Sequence, residues 1–102
     1  MSLQKKYLKS RPLSKVTFRL PAAAVPAEAQ VHLVGDFNDW DPAKTPMIQL
    51  KSGEFKVTVE LPIDQEYAFR YLINGQEWAN DWEADKYAPA GLGSDENSVV
   101  TV

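Results

Sequence analysis

Apolar and polar residues alternate with a period of two in nearly every apolar segment. Turn residues recur at short intervals, and no segment shows a helical period. Together these features predict an all-β fold: an immunoglobulin-like antiparallel β-sandwich of about seven strands. Residues 16–20 (Val-Thr-Phe-Arg-Leu) alternate cleanly and stop at Pro21, and residues 22–30, with Pro26, read as a loop. Residues 31–34 (Val-His-Leu-Val) form a second strand bounded by Gly35. A polar loop then leads to a short strand at 47–50 and a turn at Lys51-Ser52-Gly53. The clearest strand is 54–61, with Phe55, Val57, Val59 and Leu61 on one face and Glu54, Lys56, Thr58 and Glu60 on the other. A sheet with one wet side is antiparallel. In 67–73, Tyr67, Phe69, Tyr71 and Ile73 point inward while Ala68, Arg70 and Leu72 point outward. Asn74-Gly75 suits a tight two-residue hairpin turn, because both positions need positive φ. Residues 76–78 start the return strand, 80–97 read as a polar excursion, and 98–102 close the fold.

At 102 residues the chain is sized for one domain and one two-layer core. We expect residues 1–13 to form a basic arm, one helical turn or an addition to a sheet edge, and residues 14–102 to form the sandwich. A start at Met1 and a strand-like end at Val102 lead us to expect a complete small protein. Without cysteine there is no disulfide, thiolate metal site or cysteine nucleophile, which fits a reducing cytoplasm. No apolar run reaches the ~20 residues of a membrane span, and the polar start lacks a signal-peptide core. The net charge of −3 divides unevenly: residues 1–27 carry six bases and no acid, and residues 28–102 carry five bases and fourteen acids. A basic leader suggests nucleic acid, but the acidic body repels phosphates and no nucleic-acid motif is present.

Catalytic constellations are sparse. The single histidine, His32, takes a polar slot in its strand and has no nucleophile–base–orienter arrangement around it. Asp36, Asp39, Asp41, Asp81, Glu83 and Asp85 read as solvated loop acids rather than as a glycosidase pair. Asp81, Glu83 and Asp85 have calcium-ligand spacing but lack the glycine and distal glutamate of a calcium loop. No metal or cofactor is therefore expected. Binding is better supported. Phe18, Phe55, Tyr67, Phe69 and Tyr71 take core slots, with Phe37 joining them. Trp40, Trp78 and Trp82 instead fall in loops or at a strand end among Asn, Asp, Glu and Gln. Such rings either cap the open ends of a sandwich or form a ligand surface. Three of them with Arg70 and Asn97 nearby favour a surface for sugar rings.

The run Val31-His32-Leu33-Val34-Gly35-Asp36-Phe37-Asn38-Asp39-Trp40 is followed by Gly53-Glu54-Phe55 and by Asn74-Gly75. Together with Gly91-Leu92-Gly93-Ser94 and Asn97-Ser98-Val99-Val100, it resembles a known family. That family is the glycogen-binding module of the AMP-activated protein kinase β subunit, with the early-set N-terminal domains of isoamylases and branching enzymes. The resemblance covers about residues 14–102. It implies two tryptophans stacked on α-1,4-linked glucose, assisted by a lysine, a leucine, a threonine and an asparagine. Carried over by position, these are Trp40, Arg70 for the lysine, Leu92, Ser94 for the threonine, and Asn97. Trp78 or Trp82 supplies the second ring. Gly75-Gln76-Glu77-Trp78 is one residue longer than the family spacing, which turns Trp78 to the opposite face unless a bulge absorbs the extra residue. The Asp-Pro expected soon afterwards is replaced by Asp81-Trp82, and the 94–97 segment also carries one extra residue. In many early-set domains the Phe-Asn-x-Trp loop is structural, and the module packs on a catalytic barrel. The expected function is non-catalytic α-glucan binding, with a glycogen- or starch-metabolising enzyme as a further partner. The alternative is a protein-interaction module that docks on such an enzyme or forms a weak homodimer through its basic arm and acidic body.

Overall fold

A computed structural model describes residues 3–25, 28–89 and 96–102. Among the described residues nine strands run in chain order: β1 Leu3–Tyr7, β2 Leu13–Leu20, β3 Val31–Gly35, β4 Ile48–Gln49, β5 Phe55–Pro62, β6 Glu66–Ile73, β7 Glu77–Ala79, β8 Lys86–Pro89 and β9 Glu96–Thr101. Short 3-10 turns occupy Ala22–Ala24 and Asp36–Asn38. One sheet has the order β1-β2-β5-β4 and the other β3-β6-β9-β8, with β7 also paired to β6. Every pairing is antiparallel, so the fold is the expected all-β early-set sandwich.

The inward slots predicted by periodicity fill the core. Val16, Phe18, Leu33, Phe69, Tyr71 and Val100 are fully buried. Phe18, Phe69 and Tyr71 meet edge to face in sequence, with ring centroids 5.0 and 5.8 Å apart. Phe37 reaches into this cluster from its loop, 5.7 Å from Phe18 and 6.2 Å from Tyr67.

Residues 3–7 take the sheet-edge alternative of the sequence expectation, and three further elements differ from it. Residues 3–7 form edge strand β1, in which Leu3 pairs with Phe18 and is buried, and Lys5 takes an inward slot opposite Val16. A lysine in that slot is what hides the alternation. The expected strand at 47–50 pairs only at Ile48 and Gln49, because the preceding residues bond to the other sheet, through Leu33 N–H to Thr45 O (2.9 Å) and Met47 N–H to Val31 O (2.9 Å). The polar excursion contains β8, a short edge strand ended by Pro89. At the hairpin, Asn74 and Gly75 have φ of 53° and 70°, and Gln76 N–H bonds Ile73 O. The ladder nonetheless resumes at Ile73↔Glu77, so Gln76 is an inserted residue rather than the first residue of the return strand.

The outer face of the β3-β6-β9-β8 sheet is less wet than alternation implies. Val34, Leu72 and Val99 take outward slots yet are buried. Their cross-strand neighbours on that face are Arg70, Trp78 and Lys86, long side chains able to lie over them.

Candidate functional site

The loop after β3 is built by three polar side chains. Asn38, 7% exposed, accepts from Gly35 N–H through Oδ1 (3.0 Å) and donates from Nδ2 to Leu33 O and Thr45 Oγ1, both at 2.9 Å. Asp36 Oδ2 accepts Ala68 N–H (2.9 Å), capping the edge of β6 where β3 has ended, and its Oδ1 accepts the Trp40 indole N–H (2.9 Å). Asp39 and Trp40 follow with φ of 58° and 56°, and Trp40 N–H bonds Gly35 O (3.0 Å). Two successive left-handed residues turn the chain sharply, so the indole is aimed by a strained backbone and a fixed carboxylate. Gly35 is required by space: an added Cβ would lie 2.5 Å from Ala68 O and 2.9 Å from both Phe37 Cε2 and Phe69 Cβ.

Along the outer face of β6 three rows follow. Ala68 marks the row to which Asp36 tethers Trp40. Two residues on, Arg70 Nε donates to Asn97 Oδ1 (2.7 Å) and its Nη2 to Glu96 O (2.8 Å), which fixes the guanidinium against β9. Two further on, Leu72 stands opposite Trp78. The extra residue at Gln76 therefore acts as the absorbing bulge, and Trp78, 50% exposed, stays on the Arg70 side of the sheet. Ala68 and Leu72 lie about 13 Å apart along β6 with Arg70 between them, and Trp40 itself is half-buried.

Trp82 has a different setting. It is 58% exposed and follows Asp81, which is 1% exposed and points to the inner layer. Asp81 Oδ2 accepts the Tyr71 hydroxyl (2.5 Å), its N–H donates to Ser98 Oγ (2.7 Å), and its carbonyl accepts the Tyr87 hydroxyl (2.5 Å). Burial, then the charge and hydrogen bond of Asp81, push the Tyr71 hydroxyl well above its ordinary pKa of 10.0. Asp81 is therefore not the solvated loop acid expected from sequence. Within the described residues, no hydrogen bond or ring contact joins Trp82 to Arg70 or Asn97. Leu92 and Ser94 lie outside the described residues.

Sequence reasoning missed Asp36, Asn38 and Asp81, which lie in loops where no periodicity speaks. The available signal was the density of Asx residues between two apolar strands, which marks side chains bonding the backbone. His32 is half-buried opposite Leu72, and its Nδ1 is enclosed without a partner. Among the described residues, no group of three His, Cys, Asp or Glu is placed to hold a metal, and no helix is long and apolar enough to cross a membrane.

An antiparallel β-sandwich with an exposed indole, Trp78, on the sheet face that holds the fixed Arg70 guanidinium has the architecture of a carbohydrate-binding module. A family model for carbohydrate-binding module 48, the isoamylase N-terminal domain, matches residues 7–88, and the chain belongs to that family. The match includes Trp40, Arg70, Trp78 and Trp82, whereas β9 with Asn97 lies beyond it. No curated protein matches the chain significantly.

Proposed function

We propose that this chain is a non-catalytic module that binds α-1,4-linked glucan of the glycogen or starch type on the outer face of β6, in the cytoplasm. Trp40 and Trp78 act as the two stacking rings. Arg70 and Asn97 supply hydrogen bonds between them, and Leu92 and Ser94 complete the set that the resemblance implies. The observation that carries this reading is the Leu72↔Trp78 register, which keeps the second indole on the side of the sheet where Arg70 and Asn97 are joined.

Each ring covering roughly 60 Å² of apolar sugar face contributes on the order of 1.5 kcal/mol. Two rings and a few hydrogen bonds give binding in the micromolar-to-millimolar range. Rings set apart along a strand favour a curved α-1,4 chain that can wrap Leu92 over a flat β-1,4 chain. Affinity electrophoresis in glycogen gels tests this. The chain should be retarded and Trp40→Ala should migrate freely; unretarded wild-type migration, or retardation unchanged in Trp40→Ala, defeats the reading.

A further inference from the structure

Beside Arg70 the sheet forks. The β6–β9 ladder ends at Phe69↔Ser98, and two residues further along β6 Tyr71 pairs with Ala79 of β7. Thr101 turns its N–H to Asp85, on the β8 side, so strand alternation turns the main-chain groups of Ser98 and Glu96 toward β6. Among the described residues Glu96 has no ladder partner there. The side chain of Asn80, the residue after β7, fills the gap. Its Oδ1 accepts the Ser98 N–H and hydroxyl, both at 2.9 Å, and its Nδ2 donates to Glu96 O (2.9 Å). A carboxamide carries a donor and an acceptor as a peptide group does, so one side chain stands in for the missing strand.

The Glu96 carbonyl also receives Arg70. Nη2 of Arg70 reaches it at 2.8 Å while Nε holds Asn97 Oδ1 at 2.7 Å. A carbonyl oxygen has two lone pairs, so Asn80 and Arg70 share it without competing. Glu96 is exposed and is the first residue of β9, and strand ends open most easily. Asn80 ties that end to β7. The same side chain thereby links the strand that carries Trp78 to the strand that carries Asn97.

We propose that Asn80 is a positioning residue for ligand binding on the outer face of β6. By fixing the Glu96 carbonyl it fixes the Arg70 guanidinium, whose remaining N–H groups are left for the ligand. This role rests on the glucan reading of that face. A purely structural role would show differently. The Asn80–Glu96 bond is exposed, so water replaces it with little loss of stability. Water does not hold a carbonyl in one place, however, and a guanidinium left free to rotate must give up that freedom when the ligand binds.

Calorimetric titration of the full chain with maltoheptaose tests the role. Asn80→Ala should bind about tenfold more weakly than the wild type while circular dichroism shows a folded chain. In an Arg70→Met background Asn80→Ala should cause no further loss, because Asn80 acts through Arg70. Asn80→Asp keeps the acceptor for Ser98 and loses the donor to Glu96. It should weaken binding to the same degree, and it keeps the test open if the alanine variant unfolds. A second measurement needs no sugar. Hydrogen exchange of the Arg70 Nε–H, followed by heteronuclear NMR, should be about tenfold faster in Asn80→Ala than in the wild type. Wild-type affinity in the folded variants overturns the proposal. So does an equal further loss in the Arg70→Met background, or an exchange rate that Asn80→Ala leaves unchanged. A wild type that ignores maltoheptaose defeats the glucan reading instead, and the exchange rate still decides whether Asn80 holds the guanidinium.

Discussion

Asn38 closes the loop after β3 with one side chain, satisfying an N–H, a carbonyl and a hydroxyl that would otherwise be stranded. Asn38→Ala removes all three partners from a 7% exposed site and should destabilise the fold by about 2 kcal/mol or more, read as the urea midpoint. Gly35→Ala should cost about 1–3 kcal/mol in the same assay, because its methyl group would meet the Ala68 carbonyl and the Phe37 and Phe69 side chains. Asp36 acts differently, since it holds both Ala68 N–H and the Trp40 indole. The motif was visible in the sequence as an aromatic ring at the end of a strand. The labour of its polar residues was not. Asp36 and Asn38 look alike in composition, yet one is exposed and aims a ring while the other is enclosed and ties down backbone. Only the third dimension separates them.

At the scale of elements, the β6–β7 hairpin decides which face receives the second indole. A strict two-residue turn would pair Tyr71 with Trp78 and send the ring inward, into the slot that Ala79 now fills. Deleting Gln76 leaves a two-residue turn that still pairs Ile73 with Glu77 and Leu72 with Trp78, so glucan binding should be retained, whereas Trp78→Ala should weaken it about tenfold and Trp82→Ala should leave it unchanged. Titration with maltoheptaose by calorimetry checks all three; equal losses for Trp82→Ala and Trp78→Ala would reassign the second ring. The parity problem was legible from the one-residue excess, but its resolution was not, because a bulge depends on how the ladder restarts beyond the turn. The strands at 54–61 and 67–73 were legible because their core faces are uninterrupted. β1 and β8 are masked in the sequence by lysines in edge positions, where a charge that keeps other strands from pairing interrupts the alternation.

On the scale of the whole molecule, two unlike seams close the sandwich. On one side residues 45–49 cross from β3 to β5, tying the sheets by main-chain bonds. On the other, Lys5 from β1 reaches Asp85 before β8 (2.6 Å), and Asp85 also accepts from the Thr101 N–H (2.8 Å) and hydroxyl (3.2 Å). The charge asymmetry of the sequence thus acts partly within one copy, with a base of the N-terminal segment neutralising an acid of the body. Burial alone would raise the Asp85 pKa. Lys5 and Thr101 outweigh it and hold the carboxyl below its ordinary value of 3.8. A carboxyl with a depressed folded-state pKa stabilises the fold fully above its unfolded-state value, and that contribution is lost as pH falls through the folded-state value. The stability gap between the wild type and Asp85→Asn should be fully open above about pH 4 and close on further acidification. Thermal denaturation of both proteins across that range at low salt reads it. Lys5→Met, which keeps the apolar stem opposite Val16 but drops the charge, should narrow the gap and reduce its sensitivity to salt. A gap that widens below pH 4 would place the stabilising charge elsewhere and leave β1 held by Leu3 and its ladder alone.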